Sequence, residues 1–408
     1  MIIGVAPTVA AERGCAGASR RTNLPAVRTL ILSSLLVPAL SWSAATADDA
    51  AVTDAAAPAP EPGAPVFRVG GYVQPQARLR QDDDVAQFDE DGFRFRRARL
   101  TLAAHRAFGQ VEYEVEVESE LTPDFQLLDA YLAASACLAG DGRWRVAFGQ
   151  LKAPVSRQTL LSDSRLSFVE KAELQGLAPD RQLGALGGLT VPYLPQVTLQ
   201  AGVFNGEGRN QVQNVDQRFL YAGRLEVRPF GRGVPLTESA HDGEYLAVAM
   251  SAARNRTGTG VSVETALTLG GDVAFAWRGV SGSLEYLQVD HTFSMGSVLP
   301  AYRGNGFVAQ AAYLLPLPGF AADRLEVGAR FEEIDRNDTI PIVGKGDANQ
   351  SLRYYTAALT WYQARHDLKL QLQLSHIVEV EDLDQNLRDA TYANDTVLLQ
   401  AQYRMESR

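Results

Sequence analysis

The sequence predicts an all-β fold: a transmembrane antiparallel β-barrel of about sixteen strands with one long loop folded inward. Three observations predict it. From Val66 to the C-terminus, runs of about ten or more residues alternate apolar and polar positions. The connectors between these runs are rich in Gly, Pro, Asp and Asn and tend to alternate short and long, as the two ends of such a barrel do. No stretch approaches the ~18–20 uninterrupted apolar residues that a membrane-crossing helix requires.

Composition agrees with alternation rather than segregation. The 408 residues are 46% hydrophobic and 21% charged, with a mean hydropathy of −0.12. Near the N-terminus, Arg20, Arg21 and Arg28 bracket the approach to a short apolar run, Thr29–Leu40. The small residues Ser43-Ala44-Ala45-Thr46-Ala47 follow. A basic region, a short apolar region and an Ala-x-Ala site predict a secretory signal peptide over residues 1–47. Residues 48–65 are Ala- and Pro-rich without periodicity and read as a flexible leader. The barrel then occupies residues 66–408, and export followed by a barrel places the chain in the outer membrane of a Gram-negative bacterium.

Without residues 1–47 the chain carries 34 basic and 47 acidic side chains, a balance of −13, which argues against a nucleic-acid partner. Only four basic residues of that part are lysines, Lys152, Lys171, Lys345 and Lys369. The heavy use of arginine suits oxyanion contacts, and genomic codon bias accounts for it equally well. Cys15 precedes the apolar run, so cleavage leaves Cys137 without a partner.

The alternation is clearest at Val111-Glu112-Tyr113-Glu114-Val115-Glu116-Val117-Glu118, where a strand would set four glutamates on one face. Leu368-Lys369-Leu370-Gln371-Leu372-Gln373-Leu374-Ser375 and the segment 324–332 behave in the same way, and so does Val397–Tyr403. Predicted strands begin near Val66, Gly92, Gly109, Gln126, Gly142, Arg181, Pro195 and Asp216. They continue near Gly243, Thr268, Gly279, Gly304, Asp323, Ser351, His366 and Asp395. Pro229–Asp242 departs from the pattern, being long where a short turn is due.

Charged faces of such strands do not contact lipid, because a basic residue at the midplane of the outer face costs about 2–4 kcal/mol. They therefore line a wet lumen, and about sixteen strands leave that lumen open unless a loop narrows it. The longest connector, Leu151–Asp180, is the expected constriction. Its basic residues Lys152, Arg157, Arg165 and Lys171 are balanced by Asp163, Glu170, Glu173 and Asp180. A second basic cluster is Arg94, Arg96, Arg97 and Arg99. Strict alternation would divide it between the two faces, so a bulge or an exit from the hydrocarbon is expected there. Two readings of these arginines stay open: a wall that attracts anions, and pairing with the neighbouring glutamates.

No catalytic constellation, phosphate-binding glycine loop or metal-spaced His/Cys set is present, and His105, His241, His291, His366 and His376 are scattered. The chain is not expected to be an enzyme or to need a cofactor or metal.

From Phe95-Arg96-Arg97-Ala98-Arg99 the sequence resembles the phosphate-selective porin O/P family. The likeness continues through Leu128-Asp129-Ala130-Tyr131, Phe148-Gly149-Gln150-Leu151-Lys152-Ala153-Pro154 and Val169-Glu170-Lys171. Gly202-Val203-Phe204-Asn205-Gly206, Gly344–Asn349 and Leu359-Thr360-Trp361-Tyr362 extend it over nearly the whole chain after the leader. The resemblance implies a sixteen-stranded homotrimeric barrel in outer-membrane lipid and lipopolysaccharide, passing small anions such as phosphate, polyphosphate and chloride. Position by position it implies Arg96 and Arg97 as the paired arginines of the constriction, Asp129 as an acidic residue near the narrow zone and Lys171 as the basic residue after Glu170. With Arg99 of the basic cluster and Lys152, Arg157 and Arg165 of the long loop, these make the candidate pore or anion-binding set. Two positions depart from the pattern: Thr159 stands where the family's constriction-loop lysine falls, and the fifth-loop arginine ladder is reduced to Arg254 and Arg256. The chain also ends on Tyr403-Arg404-Met405-Glu406-Ser407-Arg408 rather than on an aromatic residue. A general or cation-preferring porin and a non-conducting structural or adhesin barrel are the alternatives. The glutamate face and the acidic balance favour the first of these.

Overall fold

The computed structural model describes residues 65–80, 91–121, 124–259, 263–294, 300–318, 324–338, 351–380 and 395–407. The segments expected to be a signal peptide and a leader, up to residue 64, together with Lys345 and Gly344–Asn349, lie outside the described residues.

Sixteen strands follow one another along the chain. The first eight are β1 (Val66–Arg80), β2 (Gly92–Phe108), β3 (Val111–Glu120), β4 (Gln126–Cys137), β5 (Arg143–Lys152), β6 (Arg181–Thr190), β7 (Val197–Phe204) and β8 (Leu220–Phe230). The rest are β9 (Tyr245–Thr257), β10 (Glu264–Trp277), β11 (Val280–Phe293), β12 (Tyr302–Leu314), β13 (Leu325–Asp335), β14 (Ser351–Ala364), β15 (Leu368–Glu379) and β16 (Thr396–Glu406). Each pairs antiparallel with its sequence neighbours, and β1 pairs with β16 to close the barrel. Closure leaves no open sheet edge, so every strand satisfies its backbone groups on both sides.

The strands begin close to the predicted positions. The largest differences are Glu264 for the predicted Thr268 and Leu220 for the predicted Asp216. Each has a local cause. Glu264 already pairs with both Thr257 and Phe293. Asp216 instead accepts the Arg218 N–H at 2.9 Å, a side-chain turn that delays the strand.

β1 starts and β16 ends at the same end of the barrel, which also holds the tightest turns. In the β10–β11 hairpin, Arg278 (φ 48°) and Gly279 (φ 82°) both take the left-handed conformation, matching the twist of the flanking strands. Termini and short turns mark this end as periplasmic.

Alternation sorts the faces as expected. Leu370 is 42% exposed, whereas the next residue, Gln371, is 1% exposed. Along β3, Val115 and Val117 face outward and the intervening glutamates face the lumen. The phase break at the arginine cluster is a bulge. Gln74 opposes Arg97 and Pro75 opposes Phe95, so Arg96 is the extra residue. This turns Arg94, Arg96, Arg97 and Arg99 all toward the interior, and none has to be accommodated on the outer face.

One expectation is corrected. The lumen is not uniformly polar, because it contains the apolar core. Ala172 and Leu174 of the long loop pack on Leu287, Val308 and Ile334, and Ala153 and Val155 pack with Leu151, Phe204, Leu220 and Ala222. These wall residues break the polar-inward pattern because a loop, rather than water, covers them.

Candidate functional site

The connector between β5 and β6 enters the barrel and crosses it. It contains a short helix, α1 (Arg157–Leu160), capped by Ser156, whose side chain accepts the Thr159 N–H. Two 3-10 turns follow, at Asp163–Arg165 and Glu173–Leu177. Backbone groups inside a barrel need partners, and the wall supplies them. Gln402 donates to the Ser164 carbonyl at 3.0 Å, and Lys369 Nζ donates to the Leu166 carbonyl at 2.6 Å. Gln371 donates to the Ser167 and Phe168 carbonyls at 3.1 and 3.2 Å. Gln373 accepts the Val169 N–H at 2.9 Å, and Glu285 accepts the Arg157 and Gln158 N–H groups at 2.9 and 3.1 Å. The polar faces of β11, β15 and β16 thus serve as a docking wall for the loop main chain.

Asp163 is the charge centre of the docked loop. Its carboxylate lies 2.8 Å from Arg99, 3.2 Å from Arg97 and 3.8 Å from Lys171. Burial alone would raise its pKa, but Lys171, Arg97 and Arg99 overcome that and hold it well below the usual carboxylate range. Glu170 is the second anchor, 2.6 Å from Arg96 and 3.0 Å from Arg97. Burial opposes its ionisation too, and Arg97 and Arg96 bring its pKa below normal. Lys171 donates to the Thr159 and Leu161 carbonyls at 3.3 and 2.7 Å; burial pulls its pKa down despite Asp163.

On the adjoining wall, a bulge opposite Glu118 and Ser119 makes Leu128 the extra residue of β4. The following residue, Asp129, binds Arg181 through two bonds of 3.0 and 2.8 Å. Arg181 also lies 3.6 Å from Glu118, and Lys152 Nζ donates to the Leu160 and Leu161 carbonyls at 3.2 and 2.9 Å. Arg96, Arg97, Arg99, Asp129, Lys152 and Lys171 therefore come together. Arg157 and Arg165 do not join them. Arg157, 1% exposed, donates to the Thr237 carbonyl and the Tyr245 hydroxyl, and Arg165 pairs with Asp242 at 3.0 Å.

Arg181 was missed in the sequence because it sits singly, and only the β4 bulge places Asp129 opposite it. The lower wall was partly legible. Glu112 and Glu114 reach across β4 to Arg143 and Arg145, at 2.7 and 3.2 Å.

Exposure is greatest at the top of the arginine wall and small at its base. Arg94 is exposed, the Arg96 side chain is 37% exposed, and those of Arg97 and Arg99 are 6% and 8% exposed. Arg78 and Arg80 stand above Gln76 on the same face of β1, and Arg94 donates to Gln76 at 2.8 Å. A row of guanidinium groups thus descends from the loop end to the constriction.

Solved structures with this architecture include an anion-selective porin from Comamonas acidovorans, 12% identical with a TM-score of 0.61 over 84% of this chain and 100% of that one. The outer-membrane channel DcaP of Acinetobacter baumannii is 12% identical with a TM-score of 0.57, covering 84% and 97%. OmpT of Vibrio cholerae is 10% identical with a TM-score of 0.55, covering 85% and 99%. At such identities the likeness concerns the fold. No relative of curated function matches the sequence. The model of the family described as phosphate-selective porin O and P matches residues 67–405. With a closed sixteen-stranded barrel, charges turned inward and a loop across the lumen, the chain belongs to the phosphate-selective porin O and P family and is an outer-membrane diffusion channel, not an enzyme.

Proposed function

We propose that this channel favours small anions, with phosphate or polyphosphate as the natural class and chloride passing as well. The observation that carries it is the guanidinium row from Arg80 and Arg78 through Arg94 and Arg96 to Arg97 and Arg99. Fixed positive charge along one wall of a narrow, low-dielectric passage raises the local concentration of anions. The wall's planar donors suit tetrahedral oxyanions. Arg96, the most exposed member at the loop, is the residue best placed to meet a solute, while Arg97 and Arg99 position the loop.

The competing cation-preferring reading rests on the glutamates of β3. Glu112 and Glu114 are engaged by Arg143 and Arg145, and Glu118 lies near Arg99 and Arg181. This pairing weakens their call on mobile cations. Residues 1–47 act as a cleaved signal peptide and 48–65 as a leader in this proposal. Insertion among outer-membrane lipid and lipopolysaccharide as a homotrimer is supported by the family likeness.

The test is the zero-current potential of a planar bilayer in a KCl gradient. The parent channel is expected to reverse on the chloride side, with added phosphate reducing the chloride current. Replacing Arg96 and Arg97 together by Gln should move the potential toward zero by roughly half or more. An unchanged potential would show that these arginines do not set the preference.

A further inference from the structure

The connector 231–244 lies at the periplasmic end, where Arg278 and Gly279 alone suffice to join β10 to β11. It does not hang into the periplasm. Thr237 and Ser239 are fully buried and Glu238 nearly so. Gly231, at φ 75°, starts the reversal, and a Cβ there would come within 2.3 Å of the Tyr245 side chain. Val234 and Ala240 pack on Tyr245, Ala247, Ala274 and Ala276 of the lumen wall. Arg228 holds the Val234 carbonyl at 2.7 Å, and Ser239 donates to Glu326 at 2.8 Å. The segment is thus folded up into the barrel and fastened to it.

Its inner side meets the constriction loop. Glu238 accepts the Ser167 N–H at 3.1 Å and the Gln158 amide at 3.4 Å, and its own N–H donates to the Arg165 carbonyl at 3.2 Å. From the wall, Gln310 donates to the same carboxylate at 2.7 Å. Arg157 donates to the Thr237 carbonyl at 3.0 Å, and Arg165 pairs with Asp242 at 3.0 Å. These contacts join both halves of the loop, α1 and the stretch after the first 3-10 turn, to one point on the periplasmic side.

We propose that segment 231–244 is a second constriction element, and that Glu238 is a positioning residue holding loop 153–180 across the lumen from below. Asp163 and Glu170 hold the loop to β2, and Glu285 holds the α1 main chain to β11. Glu238 adds the contact from below that joins the Gln158 side chain to Ser167. The current through the pore is then set by two chain segments that meet inside it, one from each membrane face. The Arg157 and Arg165 charges act as fasteners of this junction rather than as contacts for the solute.

Single-channel recording on the full chain tests this. Glu238→Ala is expected to raise conductance about twofold or more and to add current noise, because the loop is no longer held at its lower edge. Glu238→Gln keeps one oxygen for the Ser167 N–H but turns its amide N–H groups toward the Gln158 and Gln310 donors, so it should give a smaller rise than Ala. Glu244→Ala, exposed on the same segment, should match the parent. Barrel integrity is read by heat-dependent mobility in detergent gels. If Glu238→Ala fails to form a barrel, Arg165→Gln, at a partly exposed pair, should give a smaller rise in conductance. A folded Glu238→Ala or Arg165→Gln channel with parental conductance and noise would overturn the proposal, as would equal effects of Ala and Gln at 238. Conductance does not depend on the sign of the preferred ion, so this outcome and that of the anion test are separable.

Discussion

Replacing Asp163 by Asn is expected to free the constriction loop and shift the channel further toward anions. The substitution keeps shape and removes the charge that Arg97, Arg99 and Lys171 share. Breaking a buried ion pair from one side costs about 3–5 kcal/mol, because the remaining charges stay desolvated without compensation. The sixteen-stranded ladder is independent of this group, so the cost falls on loop docking rather than on the barrel. Three basic side chains would then repel one another and move toward water. Conductance should rise severalfold, and the zero-current potential in a KCl gradient should move to the chloride side. A folded Asp163→Asn channel with parental values of both would contradict this role.

The same group predicts the acid response. Its folded pKa is held well below the ordinary carboxylate value of about 4. A depressed carboxylate stabilises the folded arrangement above its unfolded value and loses that contribution only as pH falls through the folded one. Conductance is therefore expected to be steady from pH 7 to about 5, with loosening of the loop only in stronger acid.

Arg224→Met should be the most destabilising single change in the barrel wall. Arg224 binds both oxygens of Asp272, at 2.7 and 2.9 Å, and reaches the Val155 carbonyl of the loop at 3.3 Å. Both side chains are almost fully buried. The variant would strand Asp272 near Glu226 and the buried Glu285, at a cost of about 3–5 kcal/mol. Replacing Asp272 by Leu in the same chain should recover much of that loss, since an apolar pair of similar volume is tolerated better than half an ion pair. Urea unfolding in lipid bilayers measures both. A double variant no more stable than Arg224→Met would contradict the explanation.

The strands were legible because their signal is local. At Leu368–Ser375 each side chain's face follows from its position alone, and the structure exposes the leucines and covers Lys369, Gln371 and Gln373. The arginine bulge was legible for the same reason, since Arg94, Arg96, Arg97 and Arg99 cannot all face one way on a regular strand. The apolar patch of Leu287, Val308 and Ile334 was not legible as lumen wall. Its partners, Ala172 and Leu174, are remote in sequence and sit on a loop whose path no periodicity reveals. The assignment of Arg157 and Arg165 to the pore treated the charges of the long loop as one group. They turn instead to segment 231–244, whose sequence announced itself only through its unexpected length. Gln371, Gln373 and Gln402 gave no sign of binding a loop, because an inward amide facing water and one facing a peptide group have the same pattern.

The account depends on the side-chain alternation of β3 dividing lipid from water. Single cysteines at Val115, Glu116, Val117 and Glu114, each labelled with a fluorophore in reconstituted bilayers, test this directly. Labels at 115 and 117 should be quenched by lipid-borne quenchers and spared by aqueous iodide, and labels at 114 and 116 should show the reverse. Equal quenching at neighbouring positions, or the opposite assignment, would contradict it.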